Sequence, residues 1–273
     1  MGICCSCNQP KEEANQKSNE YQKENFENFI IAEIYIKEDE VNKDIRIICS
    51  HEEYYRTEMY KPLDINKMNE EEIKTCRIQI NDRAIPFSYF HIFPNAGNYR
   101  IKYVFKDNLT KTNYMFYNCT SIIKLDFTNF NTKNINEMEA MFCDCSSLID
   151  INLSNFNTNK VTNMSHMFHR CKLLSKLNLS NFDTSNVTNM SCMFIECESL
   201  IDLDLSNFNV ENVINMSGMF SDCSALSQLN ISNFKINNNA DLYDMFEGCS
   251  SLRIKNIIYN DEKLNRELIL LYP

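Results

Sequence analysis

From Met115 onward the apolar residues of the chain fall on a fixed frame. The dipeptide Met-Phe occurs at 115, 141, 167, 193, 219 and 245, and a Cys follows three residues after each Phe, at 119, 145, 171, 197, 223 and 249. The period is 26 residues without a slip, giving five full units and a truncated sixth. Within a unit the pattern runs Leu-x-x-Leu-x-Leu-Ser-Asn-Phe, as at Leu174, Leu177, Leu179, Ser180, Asn181 and Phe182, and continues to Val187 and Met190. Alternating Leu177 and Leu179 predict a short strand, and the polar stretch from Asn181 to Thr184 predicts a turn. The three-residue spacing of Val187, Met190 and Met193 predicts helical turn or 3-10 structure on the return. One unit cannot bury such a frame alone. Successive units are therefore expected to stack, strand parallel to strand, with at least ~3 needed for stability and caps required at both ends.

Residues 28–106 follow a different pattern. The segments "FIIAEIYI", "DIRIIC", "CRIQI", "IPFSYFHIF" and "YRIKYVF" are short, β-branched and aromatic, and are separated by charged or Asn/Gly/Pro punctuation. They predict a small β-rich or α+β domain, with a helical turn over Lys67–Lys74. Leu109 precedes Ile135, and Ile101 precedes Phe127, by one period, which suggests a degenerate extra unit before the first clear one. The β-rich domain is expected to cover the first open edge of the stack, which would otherwise expose unpaired backbone groups. "NDEKLNRELILLYP" predicts a closing helix with Leu264, Leu268 and Leu271 on one face. Four segments result: a tether at 1–27, the β-rich cap at 28–106, the repeats at 107–257 and a C-terminal cap at 258–273.

The units "NLSNFNTNKVTNMSHMFHRCKLLSKL" and "DLSNFNVENVINMSGMFSDCSALSQL" closely resemble the 26-residue repeat of BspA-like leucine-rich repeat proteins, a family of bacterial and protist surface proteins and lipoproteins. The resemblance covers Met115 to Ile257. Ordinary leucine-rich repeats carry Asn where this chain has Phe130, Phe156, Phe182, Phe208 and Phe234, so the usual buried Asn ladder is absent. The resemblance implies a right-handed solenoid used for adhesion or protein binding, without enzymatic activity. The expected class is α+β to mainly β, a leucine-rich-repeat-type solenoid of parallel strands with an N-terminal β-rich cap.

Composition narrows the function. The chain has 273 residues, 44% hydrophobic, with a formal net charge of -10. An acidic surface argues against nucleic acid as partner, because that affinity rests on clustered Lys and Arg. No apolar run approaches the ~20 residues of a membrane span, and no h-region of ~7 to 15 residues follows Met1, so the chain is expected neither to span a membrane nor to be secreted. Thirteen cysteines, an odd number, are expected to be mostly reduced. Only four His and four Gly occur, and no phosphate loop, nucleophile elbow or HExxH motif is found, so neither catalysis, a small-molecule substrate nor a cofactor is expected.

The repeated cysteines would lie in one buried column, where free Cys behaves as a small hydrophobe. Cys143, His166, His169 and Cys192 are related by single periods and could form a Cys2His2 zinc group across three units. Their columns are among the most variable, however, and surface drift gives such coincidences. Lys124, Asp150, Lys176 and Asp202 alternate in sign down the strand face and would pair among themselves. Asp126, Asn152, Asn178, Asp204 and Asn230, each two residues before a Thr or Ser, are expected to serve turn geometry. A partner is better read by a column that differs between units: Asn118, Asp144, Arg170, Glu196 and Asp222. Asn-x-Ser/Thr triplets at Asn163, Asn186, Asn189 and Asn215 recur because the repeat contains "VTNMS".

At the N-terminus "MGICCS" satisfies M-G-x-x-x-[ST], the motif for myristoylation of Gly2. One myristoyl chain holds a protein only marginally, so a second signal is needed. The tether mixes Lys11, Lys17 and Lys23 with five Glu residues and offers no polybasic patch. Palmitoylation of Cys4 and Cys5 supplies the second signal. The rivals are a Cys4, Cys5, Cys7 metal cluster, which lacks a fourth ligand, and a bacterial lipobox, which lacks its apolar region. The expectation is a non-enzymatic protein-interaction module on the cytoplasmic face of a membrane, with an exported surface adhesin as the alternative.

Overall fold

A computed structural model of the protein describes residues 28–58 and 64–271. The N-terminal strands are β1 (Asn28–Ile36), β2 (Asp44–Arg46), β3 (Arg77–Ile80), β4 (Arg83–Ile85), β5 (Phe90–Ile92) and β6 (Gly97–Phe105). Helix α1 (His51–Glu58) and the single turn α2 (Glu70–Ile73) interrupt them. Alternation in "FIIAEIYI" sends Ile30, Ala32, Ile34 and Ile36 inward, all fully buried or within 1% of it. The expected turn near Lys67–Lys74 is present as a 3-10 turn at Ile65–Lys67 followed by α2.

Helix α1 was not expected, although its start is written in "SHEE". Ser50 Oγ accepts from Glu53 N at 3.1 Å, the Ser-x-x-Glu cap. The excursion carrying α1 and α2 is tied to the first repeat through Asn69, which is 2% exposed. Asn69 Oδ1 accepts from His51 N at 2.9 Å and its Nδ2 donates to Asn113 O at 2.9 Å.

The repeats carry only short strands: β7 (Ile122–Asp126), β8 (Asp150–Asn152), β9 (Asp202–Asp204), β10 (Gln228–Asn230) and β11 (Ile257–Ile258). The expected class, a solenoid of parallel strands under a β-rich cap, does not hold. The architecture is mixed antiparallel and parallel sheet with few helices. Its largest sheet has six strands in the order β4-β3-β6-β1-β7-β8, and it runs across position 106 because β1 pairs antiparallel with β7. Parallel pairing in that sheet is confined to β7 with β8, while β9, β10 and β11 form a separate sheet. Between them, around Leu177 and Leu179, no strand forms, so no parallel sheet is continuous through the repeats.

The physical reason for such short strands lies in the turn after each strand position. Asp126, Asn152, Asn178, Asp204 and Asn230 each accept through Oδ1 from the backbone N–H two residues on, at 2.9–3.2 Å, as their spacing led us to expect. Each Asx turn bends the chain directly after the strand position and keeps the strands that form there to three to five residues.

What joins one repeat to the next is distributed. Isolated parallel bridges link Lys111, Glu137, Asn163, Asn189, Asn215 and Asp241 in succession, and Phe142, Phe168, Phe194 and Phe220 each donate N–H to a Met carbonyl of the following repeat at 2.9–3.0 Å. The first of these bridges shows residues near 111 stacked as an additional unit. Side chains complete the contacts. Phe142, Phe168, Phe194, Phe220 and Phe246 stack with ring centroids 5.4–5.7 Å apart. Thr158 Oγ1 donates to Asp183 O and accepts from Asp183 N, both at 2.8 Å, and Thr184 repeats this with Asn209.

The return leg is neither α nor 3-10 helix. Local i→i+3 bonds, such as Met193 N to Met190 O, alternate with bonds to the neighbouring repeat. At the far end Asp261 Oδ1 accepts from Lys263 N and Leu264 N and starts α3 (Glu262–Leu271). Leu264 and Leu268 of that helix are fully buried; the Leu271 side chain lies outside the described part.

Candidate binding site

The return leg holds two left-handed positions per repeat, four residues apart. The first column is Tyr114, Ala140, His166, Cys192, Gly218 and Asp244, and the second is Asn118, Asp144, Arg170, Glu196, Asp222 and Gly248, with φ between 52° and 71° throughout. Asn, Asp and Gly adopt this region readily, other residues at a cost of order 1 kcal/mol. At Gly248 a Cβ would run into the Asp222 carboxylate and lie 3.1 Å from the Asp222 Cα, so any other residue there would require Asp222 to move. The five residues expected to face a partner, Asn118, Asp144, Arg170, Glu196 and Asp222, are the second column. Backbone geometry accounts for Asn118, Asp144 and Asp222; it does not account for Arg170 and Glu196.

Those two pair with each other. Arg170 Nε donates to both carboxylate oxygens of Glu196 at 3.0 Å, and its Nη1 lies 3.9 Å from Asp144 Oδ1. Lys172 Nζ stands 3.7 Å from Glu196 Oε2. On the strand face Lys124 Nζ pairs with Asp150 Oδ2 at 2.9 Å, as the alternating signs suggested, but the expected pairs of Lys176 with Asp150 and Asp202 do not form among the described residues; Lys124 and Asp150 are largely exposed, where such a pair contributes about 0.2–1 kcal/mol.

A cavity of about 220 Å³ opens where α1 meets the first three repeats. One wall is aromatic: Tyr54 of α1 stacks on Tyr114 with centroids 4.1 Å apart and meets Tyr117 edge-on at 4.7 Å. The other wall comprises Glu139, Ala140, Cys143, Asp144, His166, His169 and Arg170. Tyr114 Oη donates to Glu139 Oε1 at 3.0 Å, and Glu139 also holds Lys67 of the α1–α2 excursion. Burial lowers the pKa of His166, and burial with the neighbouring His166 and Arg170 charges lowers that of His169 to about 4. Both imidazoles are neutral near pH 7. Desolvation pushes the Asp144 carboxyl up against the pull of Arg170.

The zinc group imagined from Cys143, His166, His169 and Cys192 does not assemble. His166 Nδ1 and His169 Nδ1 approach to 3.3 Å, but the Cys143 thiol donates to Asp144 Oδ2 at 3.6 Å and Cys192 donates to Ser217 O at 3.7 Å. Among the described residues no three His, Cys, Asp or Glu side chains converge on one point. The recurring cysteines are buried, as expected, and have a further duty: Cys145, Cys171, Cys197, Cys223 and Cys249 each donate Sγ–H to the carbonyl of the Phe 29 positions earlier, at 3.0–3.3 Å. Burial raises these thiols, Cys197 and Cys249 to about 12. The Asn-x-Ser/Thr triplets are likewise structural. Asn163, Asn189 and Asn215 accept through Oδ1 from the Ser two residues on, and Asn186 Nδ2 donates to Asn159 O at 2.7 Å.

Gly2, Cys4 and Cys5, with the rest of 1–27, lie outside the described residues. Among the described residues no helix is long and apolar enough to cross a membrane.

No curated protein matches the chain, nor does any solved structure. A family model described as "Mycoplasma protein of unknown function, DUF285" matches residues 108–204 and, overlapping them, 175–266. The two spans take in the whole run of repeats and more than half of the chain, which therefore belongs to the DUF285 family.

Proposed function

We propose that the protein is a non-enzymatic protein-interaction module, held at the cytoplasmic face of a membrane by myristoylation of Gly2 and palmitoylation of Cys4 and Cys5. The supporting observation is the pair Arg170 and Glu196. Both occupy left-handed backbone that Asn or Gly would take at lower energy; Arg170 lines the aromatic and polar cavity beside α1, and Glu196 holds it there by its ion pair. Residues kept in costly conformations cluster where they serve binding. The partner surface is the second left-handed column, Asn118, Asp144, Arg170, Glu196 and Asp222, and its partner is a protein. The test is cross-linking of tagged wild type and of Arg170→Asn/Glu196→Asn in cells. A defined protein cross-linked by wild type and lost in the double variant supports the reading; identical cross-linked products from both contradict it.

A second reading, an exported BspA-like surface protein acting in adhesion, draws support from the repeat's likeness to that family and from the Mycoplasma origin named in the matching family's description. Protease added to intact cells separates the two. An exported protein is cut, and one on the cytoplasmic face survives until the cells are opened.

A further inference from the structure

The two histidines of the cavity are placed more closely than the packing of the repeat requires. His166 occupies the first left-handed column and His169 lies three residues on, so the turn brings both rings to one side. The columns at those positions otherwise hold Tyr114, Ala140, Cys192, Gly218 and Asp244, or Tyr117, Cys143, Ile195, Ser221 and Glu247, so the pair belongs to this repeat alone. The two Nδ1 atoms are 3.3 Å apart. Two nitrogens bound at about 2.0–2.1 Å to one tetrahedral ion stand about 3.3–3.4 Å apart. A metal ion bridging the rings would therefore need little rearrangement of either.

Two further features suit such an ion. His169 Nε2, buried and without a hydrogen-bond partner, faces Glu196 Oε1 at 3.8 Å, longer than a hydrogen bond but placed where a carboxylate can close behind a ligating ring. The cavity leaves space for water or a donor from outside on the remaining coordination positions.

We infer that His166 and His169 form a two-nitrogen chelate for a borderline transition-metal ion of the zinc class, bound through both Nδ1 atoms with its other positions open to water or to a side chain of a docked protein. This site differs from the four-ligand zinc group rejected above, because Cys192 takes no part.

The test is titration of ZnCl2 into the full chain by calorimetry, with Cys4, Cys5 and Cys7 replaced by Ser in every sample so that N-terminal thiols do not compete. The variants are His166→Asn, chosen because Asn tolerates the left-handed backbone, His169→Gln and Cys192→Ser. One zinc per chain is expected, bound about tenfold or more weaker in each His variant and unchanged in Cys192→Ser. Absence of saturable binding overturns the inference, as does equal binding by the His variants. Should a His variant fail to fold, diethyl pyrocarbonate modification of the parent chain decides: zinc protects both rings if they chelate it, and leaves their modification rate unchanged if they do not.

Discussion

Replacing Phe194 probes the stacking of repeats most sharply. Its ring is fully buried and lies parallel to Phe168 and to Phe220, centroids 5.7 Å away on each side and planes within 3°. Phe194→Ala removes about 100 Å³ of side chain, and a cavity costs about 24 cal/mol per Å³, hence about 2.4 kcal/mol. Each of the two lost ring pairs adds about 0.5–1.5 kcal/mol, so the total is about 3.5–5.5 kcal/mol. Phe246 is nearly as buried but, among the described residues, stacks only on Phe220, at 5.5 Å. Its Ala variant should cost about 1 kcal/mol less for the missing partner. Phe194→Leu keeps most of the apolar volume and loses both ring pairs, for about 1–3 kcal/mol. Urea unfolding followed by circular dichroism measures all three. A Phe194→Leu midpoint equal to wild type, or a Phe246→Ala cost equal to that of Phe194→Ala, would refute the account of ring-to-ring coupling between repeats.

Asn69→Ala should destabilise by about 2–3 kcal/mol, because it strands the His51 N–H and the Asn113 carbonyl in a buried junction; a urea shift worth under about 0.5 kcal/mol would contradict this. The folded-state pKa of His169, about 4, lies below the 6.5 of a free imidazole, so as pH falls the unfolded chain takes up the proton first. Stability contributed by the neutral ring is therefore complete above about pH 6.5 and is lost towards pH 4, and the urea midpoint of His169→Gln should fall less over that window than that of wild type. In a chain whose Cys4, Cys5 and Cys7 are Ser, iodoacetamide should label Cys192 first among the described cysteines, since the other nine are buried; peptide mass analysis showing Cys197 labelled equally fast would contradict it. Arg170→Asn/Glu196→Asn exchanges an exposed ion pair worth under about 1 kcal/mol for relief of two left-handed positions, so its melting temperature should equal or exceed that of wild type.

The 26-residue frame was legible because buried Met, Phe, Cys and Leu recur at positions the sequence displays directly, and the short strands of residues 28–106 because alternation shows in "FIIAEIYI" and "YRIKYVF". Strand partners were not legible. Nothing in the pattern of β1 says that it lies between β6 and β7 and pairs antiparallel with both, yet that arrangement makes the main sheet mixed. Leu177 and Leu179 alternate as a strand would, yet no strand forms there, and the Asx turn at Asn178 does not explain it, since Asp126, Asn152, Asp204 and Asn230 make the same turn at the ends of strands. The second left-handed column was visible as a variable column, but its conformation was not: Asn118, Asp144 and Asp222 hinted at it, and Arg170 and Glu196 concealed it. The cavity depends on Tyr54, which reaches the repeats only because Ser50 starts a helix there.

The claim that this chain works at a membrane through its own N-terminus is tested most directly by metabolic labelling with alkyne analogues of myristate and palmitate, read on wild type, Gly2→Ala and Cys4→Ser/Cys5→Ser. The account predicts both labels on wild type, loss of the myristate analogue in Gly2→Ala, and loss of the palmitate analogue alone in the double cysteine variant. Wild-type protein that carries neither label would contradict it.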